Sequence, residues 1–482
     1  MNYKMIGRLL SLILTVEAIF MIPAWGICLA DGADVAARAF LIAIGLCLAV
    51  AALLYLFSRG AKRNFFAKEG LFCVGFSWVL MSVFGCLPFW LSGEIPSFVD
   101  ALFEMVSGFT TTGASVVSNI EGLSRGVLYW RSFSHWLGGM GVLVFLLAIV
   151  PLGSSDGNSM HLLRAESPGP DVGKLVPKMR QTAAVLYLTY LGLTVITFLF
   201  LVVDMPAFEA LCTTFGTAGT GGFGLKNDSI ASYSPYVQNV CTVFMLLFGV
   251  NFSIYYLLLL RRFREVFADE ELRLYIGVVL GSILLITLNV RGLYASIWDA
   301  LRHASFQVSS IMTTTGFATC DFDLWPSFSK GILLILMVFG ACAGSTGGGF
   351  KIARVLLVLK GIRRNISQVL RPQKVQVIRV NKTPVDEAVV AGTNAYLCSY
   401  VVIVIVSFLL ISLDGFSITT NFSAVLACFN NIGPGFDAVG PACNFSIYSP
   451  LSKLILAANM LAGRLEIFPI LALFSKSLWK RK

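Results

Sequence analysis

The sequence predicts an all-α polytopic membrane protein: an N-terminal two-helix hairpin, then four units of membrane helix, short helix, Thr/Gly loop and membrane helix. Three observations predict it. First, 57% of the residues are hydrophobic and only 13% charged, against about 25% charged in a soluble domain, and the mean hydropathy is +0.80. Second, four related stretches recur between apolar segments: Phe109-Thr110-Thr111-Thr112-Gly113-Ala114, Gly219-Thr220-Gly221-Gly222-Phe223, Thr313-Thr314-Thr315-Gly316-Phe317 and Ile432-Gly433-Pro434-Gly435-Phe436. Each follows a small apolar pattern: Ala101-Leu102-Phe103, Ala210-Leu211-Cys212, Ala304-Ser305-Phe306 and Ser423-Ala424-Val425. Third, lysine and arginine concentrate on alternate connecting segments.

Taken in order, residues 1–60 hold the hairpin, with apolar runs at 5–30 and 35–57 joined by Asp31-Gly32-Ala33-Asp34. Lys4 and Arg8 ahead of an apolar run suit a signal peptide, but Glu17 interrupts that run and a second follows at once, which favours a retained hairpin. Unit one is 61–152, with spans at 70–91 and 128–150, and the basic loop 153–180 follows. Unit two is 181–262, with spans at 182–203 and 236–260. Unit three is 263–362, with spans at 274–290 and 330–361. The linker 363–390 leads to unit four, 391–482, with spans at 391–413 and 451–478. Ten crossings result.

The basic segments are 4–8, 59–68, 164–180, 261–273, 351–382 and 476–482. By the positive-inside rule both termini are cytoplasmic and the four loops enter from the other side. The formal charge of +10 therefore marks orientation, with attraction to anionic lipid second. It does not point to nucleic acid.

Non-helical backbone at membrane depth is tolerated only where it is buried in protein or lines water. A Gly/Thr loop turns successive carbonyl oxygens toward an axis, where they replace an ion's hydration shell. Glycine adopts φ > 0 without a clashing Cβ, threonine stiffens the loop, and the short helix ahead of it directs a negative C-terminal dipole at a cation. The competing expectation is four re-entrant loops that serve helix packing alone.

These stretches resemble the filters of the Trk/Ktr/HKT superfamily of potassium transporters. So do Trp136-Leu137-Gly138-Gly139-Met140-Gly141, Leu163-Arg164-Ala165-Glu166-Ser167-Pro168-Gly169-Pro170, Gly344-Ser345-Thr346-Gly347-Gly348-Gly349 and Gly463-Arg464-Leu465-Glu466. The N-terminal hairpin and the Arg-Ala-Glu-Ser-Pro-Gly-Pro loop favour the bacterial Trk uptake branch. The resemblance implies a potassium permease of the bacterial inner membrane, a homodimer with one ion path per subunit. It also implies cytoplasmic RCK-type nucleotide-binding regulatory subunits. It makes Gly113, Gly222, Gly316 and Gly435 the filter glycines, in a K⁺ filter of Thr111, Thr112, Gly113, Thr220, Gly221, Gly222, Thr314, Thr315, Gly316, Ile432, Gly433, Pro434 and Gly435. No cofactor is implied beyond K⁺ as the transported ion.

The second span of unit three would be about 48 Å long as one helix, against a hydrocarbon core of about 30 Å. Its middle, 340–349, holds five glycines in ten residues, each costing about 1 kcal/mol in a helix interior. A break is expected there, and in this unit alone a strong one. The loop formed by Gly344, Ser345, Thr346, Gly347, Gly348 and Gly349 would lie across the path as a gate, its place in the family; a kinked packing helix is the alternative. Arg464 is the one basic residue expected well inside a span, where a cation must face protein or water. Two residues apart on a helix, it and Glu466 do not face each other. Arg464 is expected to hydrogen-bond carbonyls of the glycine loop as an electrostatic barrier.

Asp100 and Glu209 fall where the short helices should begin and suit helix N-termini. Asp228, Asp321, Asp323 and Asp437 follow the loops and suit either a cation-concentrating mouth or a solvated face. The spacing Gly219-x-Gly221-x-x-Gly224 lacks the strand of a dinucleotide site, and 344–351 lacks a phosphate-loop ending. The eleven cysteines read as small hydrophobes, with Cys320 and Cys443 a possible outer pair. His135, His161 and His303 have no metal-ligand spacing, and nothing suggests an enzyme. The functional alternative is an ion-coupled secondary transporter of a small solute, using broken helices as a midplane site.

Overall fold

The computed structural model describes residues 2–60, 67–141, 179–373 and 376–474. The Leu163–Pro170 motif, the basic loop around it and the C-terminal basic segment lie outside these. The hairpin forms as Tyr3–Ala30 and Asp34–Phe57, turned by Gly32 at φ +70°. Its inner stripe (Leu9, Ile13, Met21, Phe40, Cys47) is buried against unit one, while Leu41, Leu53 and Phe57 face outward. Ser11 Oγ donates to Ala51 O at 2.7 Å, pinning the two helices in the half of the hairpin away from its turn.

Among the described residues six helices are long and apolar enough to cross a membrane, or seven if one bent pair is a single span. They include the first helices of the four units: Glu69–Leu91, Ala183–Leu201, Glu270–Leu293 and Glu387–Asp414. The short helices are Phe98–Phe109, Ala207–Gly219, Ile297–Met312 and Ile418–Phe429. Ser97, Ser296 and Ser417 cap three of them by accepting the amide three residues on, and Pro206 opens the fourth. Asp100 and Glu209 lie in the first turns, where carboxylates suit the dipole. Asp100 also takes Lys453 Nζ at 2.6 Å, joining units one and four.

The second helices differ from the sequence expectation. Each is short: Arg125–Met140, Pro235–Phe248, Ser327–Phe339 and Pro450–Arg464. The break expected mainly in unit three is present in units two and four as well, and in unit one the described residues stop where the helix does. Gly141 ends the first at φ +76°. In unit two, Pro235–Phe248 and Phe252–Leu259 meet at 90°, Asn251 capping the second piece through the Ser253 amide at 2.9 Å. In unit four the chain turns at Glu466 and Ile467, φ +58° and +64°, before Phe468–Phe474. Neither turn residue is a glycine; the helix-breaking signals flank it, Gly463 before and Pro469 after.

Each second helix packs on its own short helix and also on the short helix of the next unit, unit four returning to unit one. Glycine permits the closest of these approaches: a Cβ on Gly138 or Gly463 would sit 1.8 Å from Phe109 O or Phe429 O. The linker adds one departure from an all-helical chain, a two-residue antiparallel pairing of Arg379–Val380 with Thr383–Pro384. Its turn, Asn381-Lys382, has φ > 0 at both residues, as a tight hairpin requires. Asn381 docks it on the start of unit three's first helix, accepting the Glu270 amide at 2.9 Å and donating to Asp269 at 2.7 Å.

Candidate ion pathway

Each short helix ends the same way. The last turn is followed by a left-handed residue: Thr111, Thr220, Thr314 or Asn431, at φ +53° to +56°. Its amide bonds back three residues, and the next amide bonds back five: Thr112 to Ser107 O, Gly221 to Gly216 O, Thr315 to Ser310 O and Ile432 to Ala427 O, at 2.7 to 2.9 Å. This is the Schellman helix end, which favours glycine or asparagine at the left-handed position. Three units place a β-branched threonine there, a conformation that costs energy and persists only where surrounding contacts hold it. Two residues later φ is positive again, at Gly113, Gly222, Gly316 and Gly433.

These four glycines mark a closed ring. A Cβ on Gly113 would lie 2.1 Å from Gly221 O; on Gly222, 1.9 Å from Thr315 O; on Gly316, 2.1 Å from Ile432 O; on Gly433, 2.9 Å from Thr112 O. Each loop backbone therefore abuts the carbonyl of the next, and the fourth returns to the first. In unit four the ring position falls at Gly433. Gly433, not Gly435, stands with Gly113, Gly222 and Gly316; Gly435 lacks positive φ and packs against Ser423 and Val439. Pro434 lies beside the ring, its Cδ 3.1 Å from the Cβ position of Gly316. On one side the ring opens into a cavity of about 150 Å³ lined by Gly113, Gly222, Gly316, Gly433, Pro434 and Arg131 among others.

Behind that mouth sits a pair the sequence reading missed. Glu104, in the middle of the first short helix, accepts Arg131 Nε at 2.6 Å with both side chains almost fully buried. A carboxylate inside an otherwise apolar short helix was the available signal. His135, from the same second helix, bonds Gly108 O through Nδ1 at 2.9 Å and accepts the Phe223 amide on Nε2 at 3.3 Å, which assigns the proton to Nδ1. The aspartates after the loops serve loop structure: Asp323 accepts the Asp437 amide at 2.7 Å, and Asp437 accepts Thr420 Oγ1 at 2.7 Å. Cys320 and Cys443 are both free thiols and do not pair.

On the opposite side of the ring the glycine loop of unit three touches units two and four as well as its own, and Arg464 links it to unit one. The Gly348 amide donates to Thr314 Oγ1 at 2.6 Å, and a Cβ on Gly348 would meet Asn430 O at 2.5 Å. Gly344 O accepts the Phe252 amide at 3.1 Å in the unit-two break, and Ser345 Oγ closes the turn on Cys342 O at 2.6 Å. Gly340, Gly344 and Gly349 have positive φ, and a Cβ on Gly347 would lie 3.0 Å from Thr313 O. Glu271 accepts the Ala343 amide at 2.6 Å, tying the loop to the first helix of its unit. Arg464 donates to Thr346 O at 2.7 Å and to Gly138 O and Gly139 O at 2.6 Å each. Glu466 bonds Arg354 instead, and the Arg354 guanidinium lies 4.0 Å over the Tyr396 ring. Lys351, counted from sequence with the basic linker, is as buried as Arg464 and donates to Gly347 O. Its position directly after the glycine run was the signal.

Residues 36–481 match the TrkH family of cation transport proteins. The chain belongs to that family. Among individual TrkH-family relatives, the Trk system potassium uptake proteins TrkH of Salmonella typhimurium and Escherichia coli K12 are 36% and 35% identical to it, over 100% of both chains. The crystal structure of the potassium transporter TrkH from Vibrio parahaemolyticus superposes with a TM-score of 0.88 at 30% identity, again over 100% of each chain. Those motifs read from sequence that fall in the described residues meet at two levels. Gly138 and Gly139 and the Gly463-Arg464 pair close under the ring with the glycine loop, while the Thr/Gly stretches form the ring itself.

Proposed function

We propose that this chain is a channel-like potassium-uptake permease whose four loops strip and coordinate K⁺ with backbone carbonyls. The observation that carries this reading is the closed ring, in which each positive-φ glycine abuts the next loop's carbonyl. A ring of carbonyls that replaces a hydration shell is the known physical solution for a dehydrated monovalent cation. Four negative helix ends directed at it add to the field. The names of the relatives above supply the ion. Thr111, Thr112 and Gly113 with their counterparts line the filter, Gly433 taking the ring position in unit four. The reading rests on the ring and not on the number of broken helices.

The cyclic packing of second helix on next short helix supports a pseudo-fourfold arrangement, and the broken second helices, each taken as one crossing, support ten crossings. The alternation of basic segments supports cytoplasmic termini in a bacterial inner membrane, with the Arg131 mouth outside. The glycine loop Gly344–Gly349 with Arg464 acts as the gate: three carbonyl acceptors hold a guanidinium in the path, where it repels cations until the loop moves. Regulation by a cytoplasmic RCK-type nucleotide-binding partner and a homodimeric assembly follow from the family resemblance.

The test is growth at low external potassium of bacteria lacking their own uptake systems, with and without this gene. Growth restored by the wild type and lost with Gly222→Ala is the expected result. No rescue by well-expressed wild type together with its partner would overturn the reading.

A further inference from the structure

We infer that Glu104 and Arg131 are positioning residues that set the spacing of the outer filter between units one and two, and with it the discrimination of K⁺ from Na⁺. This rests on the reading of the ring as a K⁺ filter. Glu104 is fully used: Oε1 accepts Arg131 Nε at 2.6 Å and Ser115 Oγ at 3.0 Å, and Oε2 accepts the Val116 amide at 2.9 Å. Ser115 and Val116 are the outer leg of loop one, two and three residues past Gly113. Arg131 carries the connection onward, donating through Nη1 to Gly224 O at 2.9 Å, two residues past Gly222. Its guanidinium also lies 3.6 Å over the Phe223 ring.

One carboxylate and one guanidinium thus tie the outer legs of two neighbouring loops to a single short helix. The other junctions are held differently. Units two and three meet through Ser229 Oγ and the Ala318 amide at 3.2 Å, units three and four through Asp323 and the Asp437 amide, and units four and one through the Phe445 amide and Ser115 O at 2.8 Å, with the single-point Lys453–Asp100 pair at the start of the short helix. The residues at Glu104's place in the other short helices, relative to the ring glycine, are Thr213, Gln307 and Ala424. The one-to-two junction is therefore the one with a planar, charge-assisted clamp, the stiffest kind of polar contact. Selectivity by carbonyl coordination depends on how far the oxygens can follow a smaller ion, so this clamp resists collapse around Na⁺.

The experiment is bi-ionic reversal potentials of the full chain in proteoliposomes, with thermal unfolding of the same samples. Glu104→Gln leaves Arg131 buried without its counter-charge and is expected to unfold early. Glu104→Gln with Arg131→Gln removes both charges and keeps polar neighbours, so it is expected to regain near-wild-type unfolding. Its K⁺/Na⁺ permeability ratio is expected to fall roughly fivefold. Arg131→Lys keeps the charge without the fork and is expected to fall between. A folded double variant with the wild-type ratio overturns the clamp, as does a ratio that merely tracks unfolding temperature across the three variants. A wild type that conducts without preferring K⁺ overturns the filter reading and the clamp with it.

Discussion

Units one and three of the ring are near-copies, whereas units two and four reach the same backbone path with other side chains. In units one and three a threonine follows the left-handed threonine, and its hydroxyl meets that of the helix-end threonine: Thr110 with Thr112 at 2.7 Å, and Thr313 with Thr315 at 2.8 Å. Unit two has Gly221 at that place and unit four Ile432, with Asn431 rather than threonine in the left-handed position. The alternation of φ sign and the two reversed hydrogen bonds are nevertheless present four times. What the units share is a conformation, not a residue string. Since units one and three stand opposite each other in the ring order, the chemistry of the path is closer to twofold than to fourfold.

The sharpest way to break the shared path is to put a Cβ where the ring has none. Gly222→Ala, Gly113→Ala and Gly316→Ala would each drive a methyl to within 1.9–2.1 Å of a neighbouring carbonyl oxygen, at a positive φ that already costs about 1–2 kcal/mol for a non-glycine residue. Uptake of K⁺ or Rb⁺ by cells is expected to drop by roughly 100-fold or more. Gly433→Ala meets its carbonyl at 2.9 Å and should be milder. Gly435→Ala meets the movable Ser423 Oγ at 2.8 Å and should be milder still. If Gly435→Ala proved worse than Gly433→Ala, the unit-four register would have to return to Gly435.

The next largest effect tests the side of the ring where the units do not alternate. Arg464, from unit four, bonds carbonyls of units one and three and leaves the ring untouched. Arg464→Ala is expected to raise basal K⁺ leak from loaded proteoliposomes by roughly tenfold, since a central cation opposes others strongly in a low-dielectric path. Selectivity should stay as in the wild type. Unaltered leak and unaltered regulation would exclude Arg464 from the gate.

The contrast between the units also explains what was legible beforehand. Thr/Gly strings and apolar runs placed three of four ring positions, because in units one to three the ring glycine is the last glycine before a phenylalanine or alanine. Unit four differs because Gly435, before Phe436, satisfies that string whereas Gly433, before Pro434, does not, and φ and the neighbouring carbonyl put Gly433 in the ring. The glycine loop and Arg464 were legible because glycine in a span and charge in a span are both costly. The break at Glu466-Ile467 was passed over although Pro469 follows it, since its left-handed residues are themselves a glutamate held by Arg354 and an isoleucine held by packing. Glu104 was passed over although a carboxylate in the apolar part of a short helix is a signal, because its partner, Arg131, is far off in sequence. Arg131 and Lys351 were seen as charges and assigned to loops, since composition cannot tell a snorkelling end from a buried fork.

A smaller effect separates the hydroxyl-bearing units from the others. Thr112→Val and Thr315→Val keep the shape and remove one hydroxyl pair each, worth about 1 kcal/mol of stability. Both are expected to lower the unfolding temperature slightly and to shift the K⁺/Na⁺ permeability ratio by about two- to threefold. Thr112→Val should be the stronger, since Thr112 Oγ1 also accepts Asn431 Nδ2 at 3.0 Å. Equal and negligible shifts in both would mean that the hydroxyls are spectators and the twofold chemistry has no consequence.

The smallest effect lies at the exposed edge of unit four. Asp437 follows its loop at φ +59°, and hydrogen bonds from Ser417 and then Thr420 hold its carboxyl below the usual carboxylate range. A depressed folded-state value means that the stabilisation is complete above the unfolded value of about 3.9 and disappears as pH falls through the folded value. Unfolding temperature should therefore be unaffected by this group from pH 5 to 8, and its contribution should fade below about pH 4. Asp437→Asn mimics the protonated form, so its unfolding temperature should lie slightly below the wild type at pH 6 and meet it near pH 3. The side chain is exposed, so the gap should be small. A gap that persists unchanged at pH 3 would show that the asparagine disturbs the left-handed turn rather than the charge. Unit four would then owe its departure from the other three to backbone alone.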